Sequence, residues 1–242
     1  MNGLMLHKGG QEVDIEDLKL IEVPPSTETY VPVPHYELAT MARTVGQDIL
    51  RDYTLVGENY GLARNGDQLF AVLNFEKEGD KSRDMALSVA FRNSYDKSMS
   101  IGMAFGASVF CCDNLALRGD IVVMKKHTKN VWNELEQLTI TQLYKSQNNF
   151  AMLLEESERM KRHGMTDNQA YQMAGLLFGH GVLSPRQLPV VVDQWLKPKH
   201  KEFQPRNAWS FYNAITEGLK STAPINVMER HVQAHQMILE AI

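Results

Sequence analysis

YTLVGENYGLARNGDQLFAVLNF, residues Tyr53 to Phe75, holds two runs of strand-forming residues around a turn. The runs are Tyr53 to Tyr60 and Gln68 to Phe75, and Ala63-Arg64-Asn65-Gly66-Asp67 lies between them. Asn and Gly tolerate positive φ, so Asn65-Gly66 supplies the two central positions of a tight hairpin turn. An antiparallel hairpin is expected here.

The hairpin has neighbours on its C-terminal side. Met85 to Phe91 and Met99 to Cys112 are strand-like, with Ser94-Tyr95-Asp96-Lys97 as the turn between them, and Ile121 to Met124 closes the series after Arg118-Gly119-Asp120. Glu76 to Asp84 is a polar loop or hairpin tip. Successive strands joined by short turns predict an antiparallel meander. Upstream, Leu38, Met41, Ala42, Val45 and Ile49 recur at helical spacing and predict a helix from His35 to Leu50. Pro24-Pro25 and Tyr30-Val-Pro-Val-Pro34 make an extended connector, because proline forbids helix there. Val13 to Val23 mixes two periods and fits strand or helix.

From Asn130 the pattern becomes helical. A long amphipathic element ends at His163-Gly164, and Thr166 to Gln169 opens the next helix with a capping box. Further helices are expected from Pro185 to Leu196, from Asn207 to Lys220 and from Asn226 to Ala241. The fold class is α+β: a helix and a meander, then a helical half. The organisation reads as an arm and connector (1–34), a helix with antiparallel sheet (35–129) and a helical region packing on that sheet (130–242), with a basic linker at 197–206.

Composition excludes several classes. Apolar residues make up 43% and charged residues 22% of 242, which rules out disorder for most of the length. A net charge of -4 is not that of a basic domain, although one basic face is compatible with it. The only cysteines, Cys111 and Cys112, are adjacent on an expected strand and point to opposite faces, so neither a disulfide framework nor a CxxC metal site is expected. No run of ~18 apolar residues suggests a membrane span. A reducing cytoplasm is the expected setting.

No phosphate loop, dinucleotide fingerprint or nucleophile elbow is present, so no catalytic residue, cofactor or metal is assigned. His231 and His235 share a helix face without the glutamate of HExxH, while His163 and His180 suit helix C-termini. Gly102 and Gly106, four apart in a strand, mark close approach of a ligand strand or of a packing helix. Arg92, Lys97 and Arg118 bracket that strand, and Lys125, Lys126 and Lys129 follow it; together they could form a phosphate-binding ridge, with Tyr95 and Phe105 available for base stacking. The alternative is a solvated strand-to-helix junction. Asp96 and Asp113-Asn114 fit turn or strand-end capping better than acid, base or metal chemistry.

The stretch from Phe91 to Leu115, FRNSYDKSMSIGMAFGASVFCCDNL, resembles the signature of a family of phage- and plasmid-borne proteins catalogued as domain of unknown function 932. Ala208 to Glu217, AWSFYNAITE, is similar to that family's later motif. The resemblance implies a mobile element in a bacterial cytoplasm and brings no catalytic residues. The helix–meander–helix order is also similar in outline to ring-forming single-strand annealing proteins.

The sequence therefore leads to a phage-type, homo-oligomeric accessory protein that binds nucleic acid, single-stranded DNA in particular, in replication or recombination. Arg92, Tyr95, Lys97, Arg118, Lys125, Lys126 and Lys129 form the expected interface. Two rivals stand beside it: a counter-defence protein that binds a host bacterial protein through an exposed apolar patch, and a metal-dependent hydrolase or nuclease using Asp96, Asp113 or Asp120.

Overall fold

The computed structural model describes residues 10–77, 85–109, 114–117 and 123–242. The expected hairpin is present: strand β2 (Tyr53–Ala63, following β1, Gln11–Val13) pairs antiparallel with β3 (Gln68–Lys77), and Ala63 stands opposite Gln68. Its turn is longer than the two residues expected. Arg64, Asn65 and Gly66 all take positive φ, at 51°, 55° and 98°. Tertiary bonds impose that shape: the Gly66 carbonyl lies 3.0 Å from the His35 ring nitrogen Nε2, and the Tyr95 N–H donates to the Asp67 carbonyl. A Cβ on Gly66 would also come within 3.0 Å of Ile21, so position 66 requires glycine twice over.

The meander continues through β4 (Met85–Ser94), β5 (Ile101–Val109) and β6 (Asn114–Leu117). The order is β1-β2-β3-β4-β5-β6, and β7 (Val123–Lys125) pairs with the other end of β5. Asn114, expected to end a strand, instead begins β6 opposite Val109. Val13 to Val23 resolves into the end of β1 and a short 3-10 helix, Ile15–Leu20.

Six helices accompany these strands among the described residues: α1 (His35–Ile49), α2 (Val131–Arg162), α3 (Asp167–Gly179), α4 (Leu188–Leu196), α5 (Ala208–Leu219) and α6 (Pro224–Glu240). The Thr166–Gln169 capping box forms at α3 as the sequence predicts, with the Gln169 N–H donating to Thr166 Oγ1. Helix α4 starts later than expected, because Ser184 to Gln187 close a separate turn in which Gln187 donates its N–H to the Ser184 carbonyl.

All ten residues of β4 are buried, which requires cover on both faces of the sheet. Side chains alternate along a strand. Asn93 therefore reaches α1, where it meets His35, while Arg92 reaches α6 on the other side. On the α1 face, a Cβ added to Gly46 would stand 2.7 Å from Phe75, and Thr139 of α2 donates to the sulfur of Met103. On the α6 face lie Ala86, Ser88 and Ala90 of β4, with Gly106 opposite Ser88 and Gly102 opposite Arg92. Both glycines are buried, so they do not form an open ligand surface. Helix α5 is the hub of the helical half, with every residue from Ala208 to Thr216 buried. No helix among the described residues is long and apolar enough to cross a membrane.

Candidate nucleic-acid interface

One end of the sheet gathers the connector, the β2–β3 turn, the turn after β4 and the loop between β7 and α2. Buried polar side chains fasten these four segments together. Val31 donates its N–H to the His127 carbonyl, and Val33 donates its own to His127 Nδ1 at 3.3 Å. Asn93 donates from Nδ2 to the Val33 carbonyl at 2.6 Å and also faces His35 Nδ1 at 2.9 Å. The His35 ring lies flat on Tyr95, with centroids 3.9 Å apart, and the His35 N–H donates to the Tyr95 hydroxyl.

These groups are neutral near pH 7. Burial drives His35 down to about 4, helped by nearby His127 and opposed by the Gly66 carbonyl. Burial also lowers His127, and it pushes Tyr95 up to about 12.

The cations sit around this plug. Lys97 takes a left-handed φ of 61°, uncommon for a side chain with a Cβ, and its ammonium lies 4.6 Å above the centre of the Tyr30 ring. Tyr30 in turn packs against His127, centroids 5.1 Å apart, and exposed Lys126 and Lys129 flank that histidine in sequence. Arg64, which the sequence reading passed over, adds an exposed guanidinium 3.2 Å from Asp96. Burial works to raise the Asp96 carboxyl, but hydrogen bonds from Ser98 and Gln68 and the charge of Arg64 outweigh it and hold Asp96 below the usual range. Asp96 thus serves its own turn.

The expected ridge of seven residues is only partly assembled. Arg92 is 2% exposed and forks onto both carboxylate oxygens of Glu229, at 2.9 and 3.0 Å, with the Ile225 carbonyl as a further acceptor. It lies inside the protein on the α6 face and offers nothing to a phosphate. Tyr95 and Phe105 are likewise buried, so neither provides a stacking platform. Lys125 is half-buried and bound to Glu134 at 2.7 Å. Lys97, Lys126 and Lys129 remain on the surface. Arg118 falls outside the described residues. No periodicity could have singled out Arg92, because a buried arginine and an exposed one look alike in sequence until the facing carboxylate is known.

Other candidates resolve as follows. His231 and His235 are buried, and His235 Nε2 lies 3.5 Å from Glu156. No three His, Cys, Asp or Glu side chains among the described residues converge as a metal site would require. Asp113 and Asp120 lie outside the described residues. His163 and His180 are the C-cap residues of α2 and α3. Helices α3 and α4 expose Tyr171, Leu176, Phe178 and Val190, and residues 168–185 contain no Asp, Glu, Lys or Arg.

No curated protein and no solved structure matches the chain. A family model does, over residues 26–241, which takes in the connector from residue 26, strands β2 to β7 and all six α-helices. The chain therefore belongs to the family described as Domain of unknown function (DUF932).

Proposed function

We propose that this protein binds single-stranded nucleic acid through the end of its sheet, as a non-catalytic accessory in the replication or recombination of a mobile element. The observation that carries this is the placement of Lys97, held over Tyr30 by a left-handed backbone, beside the loop that bears Lys126 and Lys129. A non-glycine residue in that region costs of order 1 kcal/mol or more, and the rest of the structure must offset it. With no exposed aromatic among the described residues of the cluster, contact falls on the phosphate backbone, so binding is insensitive to base sequence and sensitive to salt. A labelled single-stranded oligonucleotide, titrated against the native chain and a Lys97→Ala/Lys126→Ala/Lys129→Ala variant, tests the proposal. Loss of binding in the variant supports it, and equal binding removes it.

A second reading rests on a different surface. The exposed Tyr171, Leu176 and Phe178 of α3, in a stretch from 168 to 185 without Asp, Glu, Lys or Arg, suit a partner protein such as a host bacterial factor. A partner held there is released by Phe178→Asp and unaffected by the lysine changes.

A further inference from the structure

Val33 is held at both of its backbone groups by side chains whose bonding a proton reverses. It is fully buried in the connector, and its neighbours Pro32 and Pro34 have no N–H, so it carries the one amide donor of that stretch. That N–H donates to His127 Nδ1 at 3.3 Å, which makes the nitrogen an acceptor. The Val33 carbonyl accepts from Asn93 Nδ2 at 2.6 Å. Asn93 Nδ2 also faces His35 Nδ1 at 2.9 Å. This second ring nitrogen is an acceptor too, because His35 Nε2 donates to the Gly66 carbonyl at 3.0 Å.

A protonated imidazole donates from both nitrogens. On His127 the added hydrogen meets the Val33 N–H, and one bond becomes two opposed donors. On His35 it meets the Asn93 Nδ2 hydrogens, and turning that amide over would set Oδ1 against the Val33 carbonyl. Each proton thus removes one of the two side-chain bonds to Val33. No carboxylate among the described residues bonds to either ring. Asp96 is taken up by Ser98, Gln68 and Arg64. Exposed Glu37 and Asp67 act on Tyr95 and Tyr30, while Lys97, Lys126 and Lys129 add positive charge around the plug. We infer that Val33 is the catch of an acid-released latch: protons on His127 and His35 free its stretch of the connector from the sheet end while the rest of the fold stays closed. The bond from the Val31 N–H to the His127 carbonyl is indifferent to these protons, so the release centres on Val33. Burial holds both rings below their ordinary range, against the Val31 backbone at His127 and the Gly66 carbonyl at His35. The closed latch is therefore fully stable above about pH 6.5 and weakens as pH falls towards 4. The inference stands apart from the nucleic-acid proposal, since its readout needs no ligand.

Hydrogen exchange of the Val33 amide in the full chain, followed from about pH 7 to pH 5 and corrected for the intrinsic pH dependence of exchange, is the test. Opening that takes up two protons should lower Val33 protection by close to a hundredfold per pH unit below about pH 6, and opening that takes up one by about tenfold. The native chain should show the steeper fall and His35→Asn the shallower one, while amides of buried α5 keep their protection. A fall of tenfold per unit or less in the native chain, or one in which α5 amides follow in step, would overturn the inference.

Discussion

Arg92 and Lys97 stand five residues apart, on the same strand and the turn that follows it, and the fold treats them in opposite ways. Arg92 points into the α6 face of the sheet, where a bidentate carboxylate compensates its desolvation. Lys97 is swung out by a left-handed turn and rests on an aromatic face beside water. One cation is therefore built into the core and the other is left exposed. The difference lies in position: Arg92 belongs to a strand whose ten residues are all buried, whereas Lys97 lies in the turn beyond that strand and is exposed.

The largest expected effect breaks the buried side of this comparison. Arg92→Ala leaves the sheet without its anchor to α6 and should cost roughly 3–5 kcal/mol in chemical denaturation. Arg92→Met combined with Glu229→Leu should recover much of that, because an apolar pair of similar volume carries no desolvation penalty. Glu229→Gln alone should also destabilise, because the cation it leaves without a counter-charge is Arg92, at 2% exposure, which then has only a neutral amide oxygen to donate to.

Next in size is acid. His35 has a folded pKa of about 4 against an ordinary value of 6.5, so the unfolded chain binds its proton more readily. Stability from this group is complete above pH 6.5, declines as pH falls from 6.5 to 4, and changes no further below. The loss should reach about 3 kcal/mol, and His127, shifted in the same direction, adds to it. Urea unfolding between pH 4 and 8 measures it, and His35→Asn should flatten the profile.

Two helical glycines give a smaller and sharper contrast. Gly46→Ala in α1 drives a Cβ to 2.7 Å from the Phe75 ring and should destabilise by about 1–3 kcal/mol, against the intrinsic helix preference for alanine. Gly175→Ala in α3 meets nothing within 4 Å and should stabilise by up to about 1 kcal/mol. Thermal denaturation of the two variants should shift in opposite directions.

Much of this architecture was legible in the residues. The three-and-four spacing of Leu38, Ala42 and Val45 gave α1, and the Thr166–Gln169 box gave the start of α3, because both signals are local. Asn65-Gly66 marked the hairpin, but three tertiary contacts reshaped its turn, which no local rule contains. The candidate site was legible only in its exposed half. Lys97, Lys126 and Lys129 stand where a charge run at a strand end suggests, while Arg92 and Tyr95 were claimed by Glu229 of α6 and by His35 of α1, partners 137 and 60 residues away. Arg64 escaped notice because a turn residue carries no periodic signal.

The central claim is that the exposed cations at the sheet end, and not the buried one, meet a polyanion. Affinity for single-stranded DNA across a salt series tests it most directly. Three phosphate contacts from Lys97, Lys126 and Lys129 give a log–log slope near -2, by about -0.7 per contact. That slope should collapse in the triple lysine variant and persist in the folded Arg92→Met/Glu229→Leu variant. Affinity independent of salt, or a slope unchanged by removing the three lysines, would contradict the account.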